Sequence, residues 1–470
     1  MPRLNKDDIY LHNKINKALS EFSETNDSNK LKIIFDNIVF EFKESVNVTS
    51  AGLEIYFKNC FISGSRVDIT LEEMERNKNS LVFENCKINS DLYIKDSKIE
   101  YLTFKNVIIE SPQFHIASNK IKTFYIEGKH NNFNKINSLI LNNNIIENDV
   151  IINFNTLQSL LIHSTSVLNY STLNHNKIER LEIKNSVFQK KIDIIKNTLG
   201  NYSIIHYTSF AQIKSLNSNF GSTIEFKQVQ FKEIVEFKDL QSNKTTFRFI
   251  NCDFEKDTYF DNSEINLLEF SSVIFKGITS FQLVKISTEI QFKTTYFEKI
   301  GFFEGVKIGS LKSLDINTVR TIKGQLQKSE SKIEYLKYNA LEQRQYLKKL
   351  TKWSSEYYIL KLNGISNDFG RNWFKGVLFT LMISAFFFLL IIITNSFFPS
   401  KFPLKFDKNL PFLNHSTIIS EYLKFTFSLG FGNEEIQSNG YLYALYIISR
   451  ILIGYGIYQT ITAFRKFGKI

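Results

Sequence analysis

The sequence predicts an all-β right-handed β-helix (solenoid), followed by an α-helical linker and two transmembrane helices. Three observations lead to this prediction. Apolar residues recur every 21 to 23 residues through most of the chain, a later segment changes to helical spacing, and a charge-free run of nineteen residues lies near the C-terminus. The predicted domains are an N-terminal cap, the β-helix, the linker and the membrane region, at residues 1–31, 32–310, 311–370 and 371–470.

The cap segment has apolar residues at mixed spacing, among them Ile9, Leu11, Ile15 and Leu19. We expect a short helix here that covers the first end of the solenoid. The opening residues lack the apolar stretch and the small-residue cleavage site of a signal peptide, so nothing predicts export of the large N-terminal part.

The repeat unit of the predicted solenoid is an apolar residue, any residue, a second apolar residue, four further residues and a third apolar residue. Leu81-x-Phe83 with Ile88 is one copy. Such a period is typical of a chain wound into a coil, in which each turn lays short strands about 4.8 Å from those of the turn below. Alternate residues then point inward, and about twelve coils would share a column of Phe, Ile and Leu.

Asparagine marks the predicted corners of the coil. Asn tolerates left-handed backbone geometry and can hydrogen-bond to its equivalent in the next coil, as a tight corner requires. The residue two positions after the second apolar residue is Asn in six coils: Asn59, Asn85, Asn106, Asn143, Asn185 and Asn251. Cys60, Cys86 and Cys252 each follow one of them and are interpreted as corner residues, because no His stands at metal-ligand spacing.

With these motifs the chain resembles the bacterial pentapeptide-repeat family of right-handed β-helices, in which Phe or Leu recurs every five residues on a four-sided coil. Ile265, Phe270 and Phe275 show that spacing. The family's small residue two before each central Phe or Leu is mostly replaced by a large apolar residue. The long faces of a solenoid favour protein binding as its function. One irregular stretch, Phe124–Asn134, is interpreted as a surface-loop insertion or a shortened coil rather than a binding site.

Composition and charge favour a membrane protein without enzymatic activity. Carboxylates do not cluster at equivalent positions of neighbouring coils, as they do in β-helical lyases and hydrolases, and nothing indicates a catalytic, cofactor or metal site. Three cysteines do not make a disulfide framework and suit a reducing compartment. The net charge is +11, and much of it comes from Lys312–Lys375, which contains thirteen Lys and Arg but six Asp and Glu. This excess favours contact with anionic lipid over nucleic acid.

The linker has apolar residues such as Ile322 and Leu326 at helical spacing among many charges. One or two amphipathic helices within residues 316–362 should close the solenoid and lead to the bilayer. Trp373 fits the aromatic belt of a membrane interface, and Asn363–Asn367 predicts a turn.

The charge-free run Gly376–Thr394 is long enough to cross the hydrocarbon core of a bilayer. Tyr441–Phe464 is predicted to return across it, with residues 395–440 as an outward loop. Lys and Arg flank both predicted spans on the solenoid side, so the positive-inside rule places both termini in the cytoplasm of a multi-pass protein of the inner (plasma) membrane.

Arg450 is the one charged residue inside the second predicted span. A charge at the middle of a membrane helix costs about 2.5–3.5 kcal/mol on insertion scales and usually faces protein or water. We expect Arg450 to face another helix or the loop and to pair with one of three carboxylates, Glu421, Glu434 or Glu435. Gly454 and Gly456 are expected to permit close helix approach.

A short helix is predicted at Ser416–Phe427, and the chain continues as Ser-Leu-Gly-Phe-Gly-Asn. This order of span, helix, glycine-containing loop and span resembles two-span potassium channels, whose filter reads Thr/Ser-x-Gly-Tyr/Phe-Gly-Asp/Asn. The resemblance implies a homotetramer in which four loops replace the hydration shell of the ion. The implied filter residues are Ser428, Leu429, Gly430, Phe431 and Gly432.

Two functional hypotheses remain. In the first, the protein is an oligomeric ion channel or a membrane-permeabilising effector with the cytoplasmic solenoid as sensor, an architecture similar to bacterial defence systems that join a sensor to small spans. In the second, the spans anchor a solenoid scaffold that binds partner proteins without transport. The predicted partners are membrane lipid, further copies of the chain, a protein on the solenoid face and, for a channel, monovalent cations, but no nucleic acid.

Overall fold

The computed structural model confirms the predicted fold class. A parallel β-solenoid of about twelve turns occupies residues 32–308, and helices follow it. The chain divides into two compact units, Met1–Thr321 and Ile322–Ile470. The structure describes residues 10–11, 13–15, 17, 32–42, 45–72, 79–131, 133–398, 415–428 and 436–465.

The solenoid strands form two parallel sheets, and strands are numbered in chain order. The first sheet has 19 strands. They are β1 (Lys32–Asp36), β4 (Glu54–Lys58), β7 (Ser80–Glu84), β10 (Lys98–Lys105), β13 (Lys120–Glu127), β15 (Ile145–Ile146), β16 (Val150–Asn153), β18 (Ser166–Val167), β19 (Ser171–Asn174), β21 (Val187–Ile195), β23 (Ser209–Leu216), β25 (Gln230–Phe231), β26 (Val235–Lys238), β28 (Asp253–Phe254), β29 (Thr258–Tyr259), β31 (Ile274–Phe275), β32 (Thr279–Ser280), β34 (Tyr296–Phe297) and β35 (Gly301–Phe302).

The second sheet has 17 strands and covers the remaining sides of each coil. They are β2 (Val39–Phe42), β3 (Val46–Ala51), β5 (Phe61–Gly64), β6 (Arg66–Glu72), β8 (Lys87–Ile88), β9 (Asp91–Lys95), β11 (Ile108–Ile109), β12 (Phe114–Ala117), β14 (Asn134–Asn142), β17 (Asn155–His163), β20 (Lys177–Lys184), β22 (Thr198–His206), β24 (Thr223–Lys227), β27 (Gln241–Ile250), β30 (Glu264–Ser271), β33 (Lys285–Lys293) and β36 (Lys307–Ile308).

Strict register between coils builds the core. In β4 the alternation of the sequence buries Ile55 and Phe57 and leaves the residues between them facing outward. Because β1, β4, β7 and β10 pair in register, their phenylalanines form one stack with ring centroids 5.1, 4.9 and 5.0 Å apart. The stacked residues are Phe35, Phe57, Phe83 and Phe104.

The C-terminal coils contain three such phenylalanine stacks, which meet edge to face in the interior. Each ring lies on its equivalent one coil away, at offset-stacked separations that aromatic rings favour. The stacks are Phe226, Phe249, Phe270 and Phe292; Phe188, Phe210, Phe231, Phe254, Phe275 and Phe297; and Phe237, Phe260, Phe281 and Phe303.

The six asparagines assigned to corners all have left-handed backbone geometry, but they belong to two different corners. Asn59, Asn85 and Asn106 follow strands of the first sheet and have φ of 51°, 54° and 51°. At this corner the amide of Asn85 donates to Asn59 over 3.2 Å, and that of Asn106 donates to Asn85 over 3.1 Å. The other three, with φ of 54°, 50° and 52°, follow strands of the second sheet: Asn143, Asn185 and Asn251.

The residue after each corner points into the coil. At this inward position the structure shows a second asparagine ladder, which the sequence did not predict. Asn134 donates to Asn155 over 2.8 Å, Asn155 to Asn176 over 3.0 Å, and Asn176 to Asn197 over 3.1 Å. All four are buried. Their amides also reach backbone groups, such as Ile152 O at 2.7 Å from Asn176 Nδ2, so the buried polar groups are satisfied.

Cys60, Cys86 and Cys252 occupy this same inward position rather than the corner itself. All three are buried and free. The Cys60 thiol lies 3.3 Å from Phe35 O, and that of Cys86 lies 3.3 Å from Phe57 O. Cys60 and Cys86 therefore occupy the position that asparagine takes in the middle coils, whereas Cys252 follows Asn251 at the other corner.

The irregular stretch Phe124–Asn134 is a corner insertion. Gly128 takes the corner position, because its N–H donates to Asn153 O over 3.0 Å as in a regular coil. The chain rejoins the coil at Asn134, the first residue of β14. A Cβ added to Gly128 would lie 2.2 Å from Phe154 O, so the next coil passes too close for any other residue.

Both ends of the solenoid are covered within the first unit. At the N-terminal end, described helical residues include Leu11 and Ile15, which are buried, and Lys14, which donates to Ile34 O over 2.7 Å. At the other end, helix α1 (Ile316–Lys328) begins at the last coils, where the Thr318 hydroxyl accepts the N–H of Phe292 over 2.8 Å.

The second unit is helical. After α1, which crosses the boundary between the units, the described part of the chain forms two linker helices and three helices of the membrane region. They are α2 (Lys332–Lys349), α3 (Ser355–Asn367), α4 (Trp373–Phe397), α5 (His415–Phe427) and α6 (Gly440–Phe464). The linker thus contains three helices, where one or two were expected.

The prediction of a turn at Asn363–Asn367 is wrong. These residues form the last part of α3, and the turn follows them at Asp368, Phe369 and Gly370, with φ of 54°, 56° and 83°. The Asn side chains, which usually favour turns by bonding to nearby backbone, are occupied here by hydrogen bonds to another helix.

Candidate functional site in the membrane helices

Two helices of the described chain are long and apolar enough to cross a membrane, namely α4 and α6. This indicates membrane association, and the architecture is compatible with a membrane-anchored solenoid. The helices run antiparallel. Asn439, which caps the start of α6, donates to Phe398 O at the end of α4 over 3.0 Å. We call this the loop end of the bundle, and the opposite end, with Trp373 stacked on Phe464 at 4.7 Å, the linker end.

Small residues let α4 and α6 touch near the linker end. A Cβ added to Gly376 would lie 2.6 Å from Thr460 Oγ1, and one added to Gly456 would lie 2.5 Å from Thr380 Oγ1. Each helix therefore presents a Gly-x-x-x-Thr pair to the other. Such pairs allow the backbone approach on which helix association in membranes depends.

Gly454 does not take part in this crossing, contrary to the expectation for both glycines of α6. Nothing lies within 4 Å of a Cβ added there, because Gly454 is on the opposite side of α6 from Gly456. Two residues turn a helix by about 200°, so only one of the pair can face α4.

Helix α5 enters the bundle from the loop end and stops at mid-depth. Its Thr426 hydroxyl lies 2.6 Å from that of Ser384, and Tyr422 Oη donates to Leu381 O over 2.8 Å. Ser384 is the twelfth residue of the 25-residue α4, about 17 Å along its axis. The chain then returns to the loop end at Asn439, so α5 belongs to a re-entrant segment.

Apolar packing holds α5 in this position. Phe425 is fully buried, 5.5 Å from the ring of Phe388 in α4 and 6.4 Å from that of Tyr446 in α6. Phe387, Ile391 and Ile436 belong to the same cluster. The short helix predicted at Ser416–Phe427 is therefore present one residue longer, at His415–Phe427, and is part of the core of the membrane region.

The implied filter begins where α5 ends. Ser428, exposed, continues the helical hydrogen bonding by donating its N–H to Lys424 O over 2.8 Å. Leu429, Gly430, Phe431 and Gly432 lie outside the described residues. The structure therefore places the start of this segment at the middle of the bundle.

Arg450 lies at the same depth, on the side of α6 next to α5. Its guanidinium carbon is 5.1 Å from the ring centre of Phe425 and 4.6 Å from that of Tyr446, which are cation–π distances. Its Nε and Nη2 atoms are buried and contact no acceptor among the described residues. Glu421 instead pairs with Lys424, and Glu434 and Glu435 lie outside the described residues.

A polar network, in which Asn367 and Gln459 are buried, fixes linker helix α3 to α6. Asn363 Oδ1 accepts from Tyr455 Oη over 2.6 Å and from Gln459 Nε2 over 3.0 Å. Asn367 Nδ2 donates to Gln459 O over 3.0 Å and also bonds the Gln459 side chain. The sequence did not predict this network, because the residues that it joins are 92 to 96 positions apart and no local pattern connects them.

The solenoid offers no comparable site among its described residues, where no group of three His, Cys, Asp or Glu is placed to hold a metal. Its outer faces bear ion pairs within and between coils instead. Glu182, for example, contacts Arg180 at 2.7 Å, Lys184 at 2.6 Å and His163 at 3.0 Å. Burial alone raises the pKa of this carboxyl, but hydrogen bonds from Lys184 and Arg180 lower it to about 2.

Comparisons with models of known protein families, with curated proteins and with solved structures find no match. The resemblances to pentapeptide repeats and to potassium channels therefore remain resemblances of sequence motifs. The parallel solenoid and the two long apolar helices are shown by the structure itself.

Proposed function

We propose that the protein is an oligomeric ion channel whose pathway is formed by the re-entrant segment, with the solenoid as a cytoplasmic sensor or protein-binding domain. The observation that supports this most directly is the position of α5. Its last turn, at Thr426, meets Ser384 at the middle of α4, and the Ser-Leu-Gly-Phe-Gly sequence starts one residue after the helix. Re-entrant backbone at membrane depth is tolerated where it is buried in protein or lines water.

The end of α5 also suits a cation. The C-terminal end of a helix bears a partial negative charge, because its last carbonyl groups lack intrahelical partners. Here that end lies where the bilayer is least able to stabilise an ion. A dipole directed at this depth would lower the barrier to a permeant cation and favour cations over anions.

Arg450 does not conflict with this proposal. A guanidinium facing the pathway would repel a cation, but Nε and Nη2 of Arg450 are buried and the group lies against Phe425 and Tyr446. Its charge is thus directed into the contact between α5 and α6. There it can stabilise the position of α5 through the faces of the two rings.

The polar network supplies a route from the linker to the pathway within the second unit. Movement of α3 would be transmitted to α6 through Asn363, Asn367 and Gln459, because breaking their buried hydrogen bonds is unfavourable. Helix α6 in turn packs against α5 through Tyr446 and Arg450. We propose that a partner bound to the solenoid acts on the pathway by this route.

Ion flux in liposomes tests the proposal. Purified protein is reconstituted under opposing potassium and sodium gradients, and flux is compared with that of the Gly430→Ala/Gly432→Ala variant. Gly454→Ala is the matched control, since Gly454 is an open position of α6. We expect a potassium-selective flux that the double variant loses and the control keeps. Unselective flux, unaffected by the two glycines, would instead indicate a permeabilising effector.

A membrane-anchored scaffold is the second candidate. It is favoured by the close contact of α4 with α6, because this makes one chain a complete two-helix anchor. A scaffold would show no flux in any variant, and a partner captured by the wild-type solenoid at the membrane would be captured equally by the Gly430→Ala/Gly432→Ala variant. Loss of capture in that variant would contradict the scaffold.

A further inference from the structure

The outward face of α5 consists of two parallel ridges of opposite character. One ridge is apolar and highly exposed in the single chain: Ile419, Leu423 and Phe427 are 58%, 47% and 66% exposed. The adjacent ridge is polar and also exposed, and consists of Ser420, Lys424 and Ser428. In both ridges the residues are four positions apart, so each forms a continuous stripe along the helix.

The polar ridge contains charge at a depth where lipid cannot solvate it. Lys424 pairs with Glu421 at 2.7 Å, yet its side chain stays 60% exposed. It lies half a turn before Thr426, which meets the middle of α4. An exposed charge at this depth costs about 2.5–3.5 kcal/mol on insertion scales if it faces hydrocarbon.

The exposed stripe of α4 shows what a lipid-facing surface of this protein looks like. It is apolar throughout and consists of Leu378, Met382, Phe386, Leu389 and Ile393. Helix α5 differs from it in bearing an ion pair and two serines at similar depth. The two surfaces therefore face different surroundings.

We propose that the α5 face is covered by a second copy of this chain, with the apolar ridge packed on the neighbour and the polar ridge lining water. Water alone does not suffice, because a water-filled path through a bilayer must be enclosed on all sides and one chain supplies a single polar ridge. Repetition of the same chain around an axis supplies the enclosure, and closed symmetry is the usual form of homo-oligomers. This inference rests on the proposed function and deepens it by locating the contact between subunits.

The arrangement also gives the Glu421–Lys424 pair a physical reason. A row of lysines around a narrow path would repel cations, whereas each Lys424 is neutralised by the Glu421 of its own helix. Leu423 and Phe427 are large apolar side chains, which lose accessible area without leaving a polar group unpaired. The apolar ridge thus serves the contact between subunits, and the polar ridge faces water.

Photo-crosslinking in liposomes tests the contact. The photoreactive p-benzoylphenylalanine replaces Phe427 in one sample and Phe386 in the other. These are matched controls, both phenylalanines near mid-depth and 66% and 56% exposed in the single chain. Since only this protein and lipid are present, illumination should give a covalent dimer from position 427 and none from position 386. No dimer from position 427, or equal dimer from both, would overturn the proposal.

A second measurement keeps the proposal testable if the photoreactive variant folds poorly. The mass of the complex in detergent should be several chains for the wild type and for Met382→Trp, and should fall towards one chain for Leu423→Trp, because a larger ring does not fit a packed contact. An unchanged mass for Leu423→Trp would contradict the contact. Crosslinking without selective flux would retain the interface and reject the channel, whereas flux without crosslinking would do the reverse.

Discussion

At the residue scale, Gly454 and Gly456 allow the same substitution in opposite surroundings. Gly456→Leu should destabilise the membrane helices by about 1–3 kcal/mol, because the new side chain meets Thr380 where α4 and α6 touch. Gly454→Leu has open space and should change stability little. Thermal unfolding of the purified variants in detergent measures the stability of each. An equal loss of stability at the two positions would show that the contact of α4 with α6 at Gly456 does not determine it.

Glu182 gives a prediction for acid. Its pKa is lowered to about 2 in the folded protein, against about 4.3 for an unfolded glutamate. The carboxylate therefore stabilises the fold above about pH 4, and this contribution is lost as the pH falls towards 2. Unfolding of the wild type followed by circular dichroism should show this loss, and Glu182→Gln should remove it.

The matched control for that experiment is Glu264→Gln. Glu264 likewise pairs with a lysine, Lys285 of the next coil at 2.7 Å, but the two side chains are largely exposed, at 45% and 60%. Exposed pairs contribute little to stability because water and salt screen them. If Glu264→Gln flattened the acid dependence as much as Glu182→Gln, burial of the Glu182 carboxylate would not be the cause.

Single residues were predictable from the sequence where their local conformation demands them. Left-handed geometry favours Asn, so Asn85 and its equivalents were visible, although Phe154 and His175 adopt the same geometry at φ of 56° because the coil imposes it. The buried ladder through Asn155 and Asn176 was not visible. Its asparagines recur at the coil period, which was a usable signal, but their burial depends on which side of the corner faces inward.

At the scale of the elements, the network between α3 and α6 predicts a local effect. Gln459→Leu removes one hydrogen-bond partner from each of Asn363 and Asn367 and should cost about 1 kcal/mol, because Asn363 keeps Tyr455 Oη and Asn367 keeps the carbonyl of residue 459. Hydrogen exchange across Ser355–Asn367 should become faster in the variant. The control is Thr462→Val, which is exposed on the same helix and should leave the exchange of α3 unchanged. Unchanged exchange in Gln459→Leu would refute the role of the network.

Length and hydropathy were enough to find the two long apolar helices, because a span needs only an apolar run of sufficient length. The expected range Gly376–Thr394 became α4, which extends three residues further at each end. The end of α3 was predicted wrongly, since Asn363 and Asn367 were interpreted from local preference alone. Their partner is on a helix almost a hundred residues away, and such a contact overrides a local preference.

At the scale of the whole molecule, the register of the solenoid predicts that coils can be removed whole. Deleting the 21 residues 155–175 joins Phe154 to Asn176, which is the inward equivalent of Asn155 in the next coil. The shortened chain should keep both sheets and unfold cooperatively. Deleting residues 155–164 instead brings a position of the opposite corner to this place and should prevent folding. Circular dichroism and limited proteolysis compare the two.

The repeat made the solenoid the most predictable part of the molecule. Every coil has the same alternation of apolar residues, so the pattern is recognisable even where one coil departs from it. The membrane region has no such redundancy. The position of α5 depends on a few contacts, such as that of Thr426 with Ser384, which no periodicity encodes.

The contact of Thr318 with Phe292 at the end of the solenoid has a consequence for solubility. The last coil of a parallel solenoid exposes unpaired backbone N–H and C=O groups that another strand can join. The Thr318 hydroxyl accepts the N–H of Phe292, and Asp315 holds the first turn of α1 in place by accepting the N–H groups of Asn317 and Thr318. A fragment cut before Asp315 would lack this cover, and we expect it to polymerise end to end into fibrils.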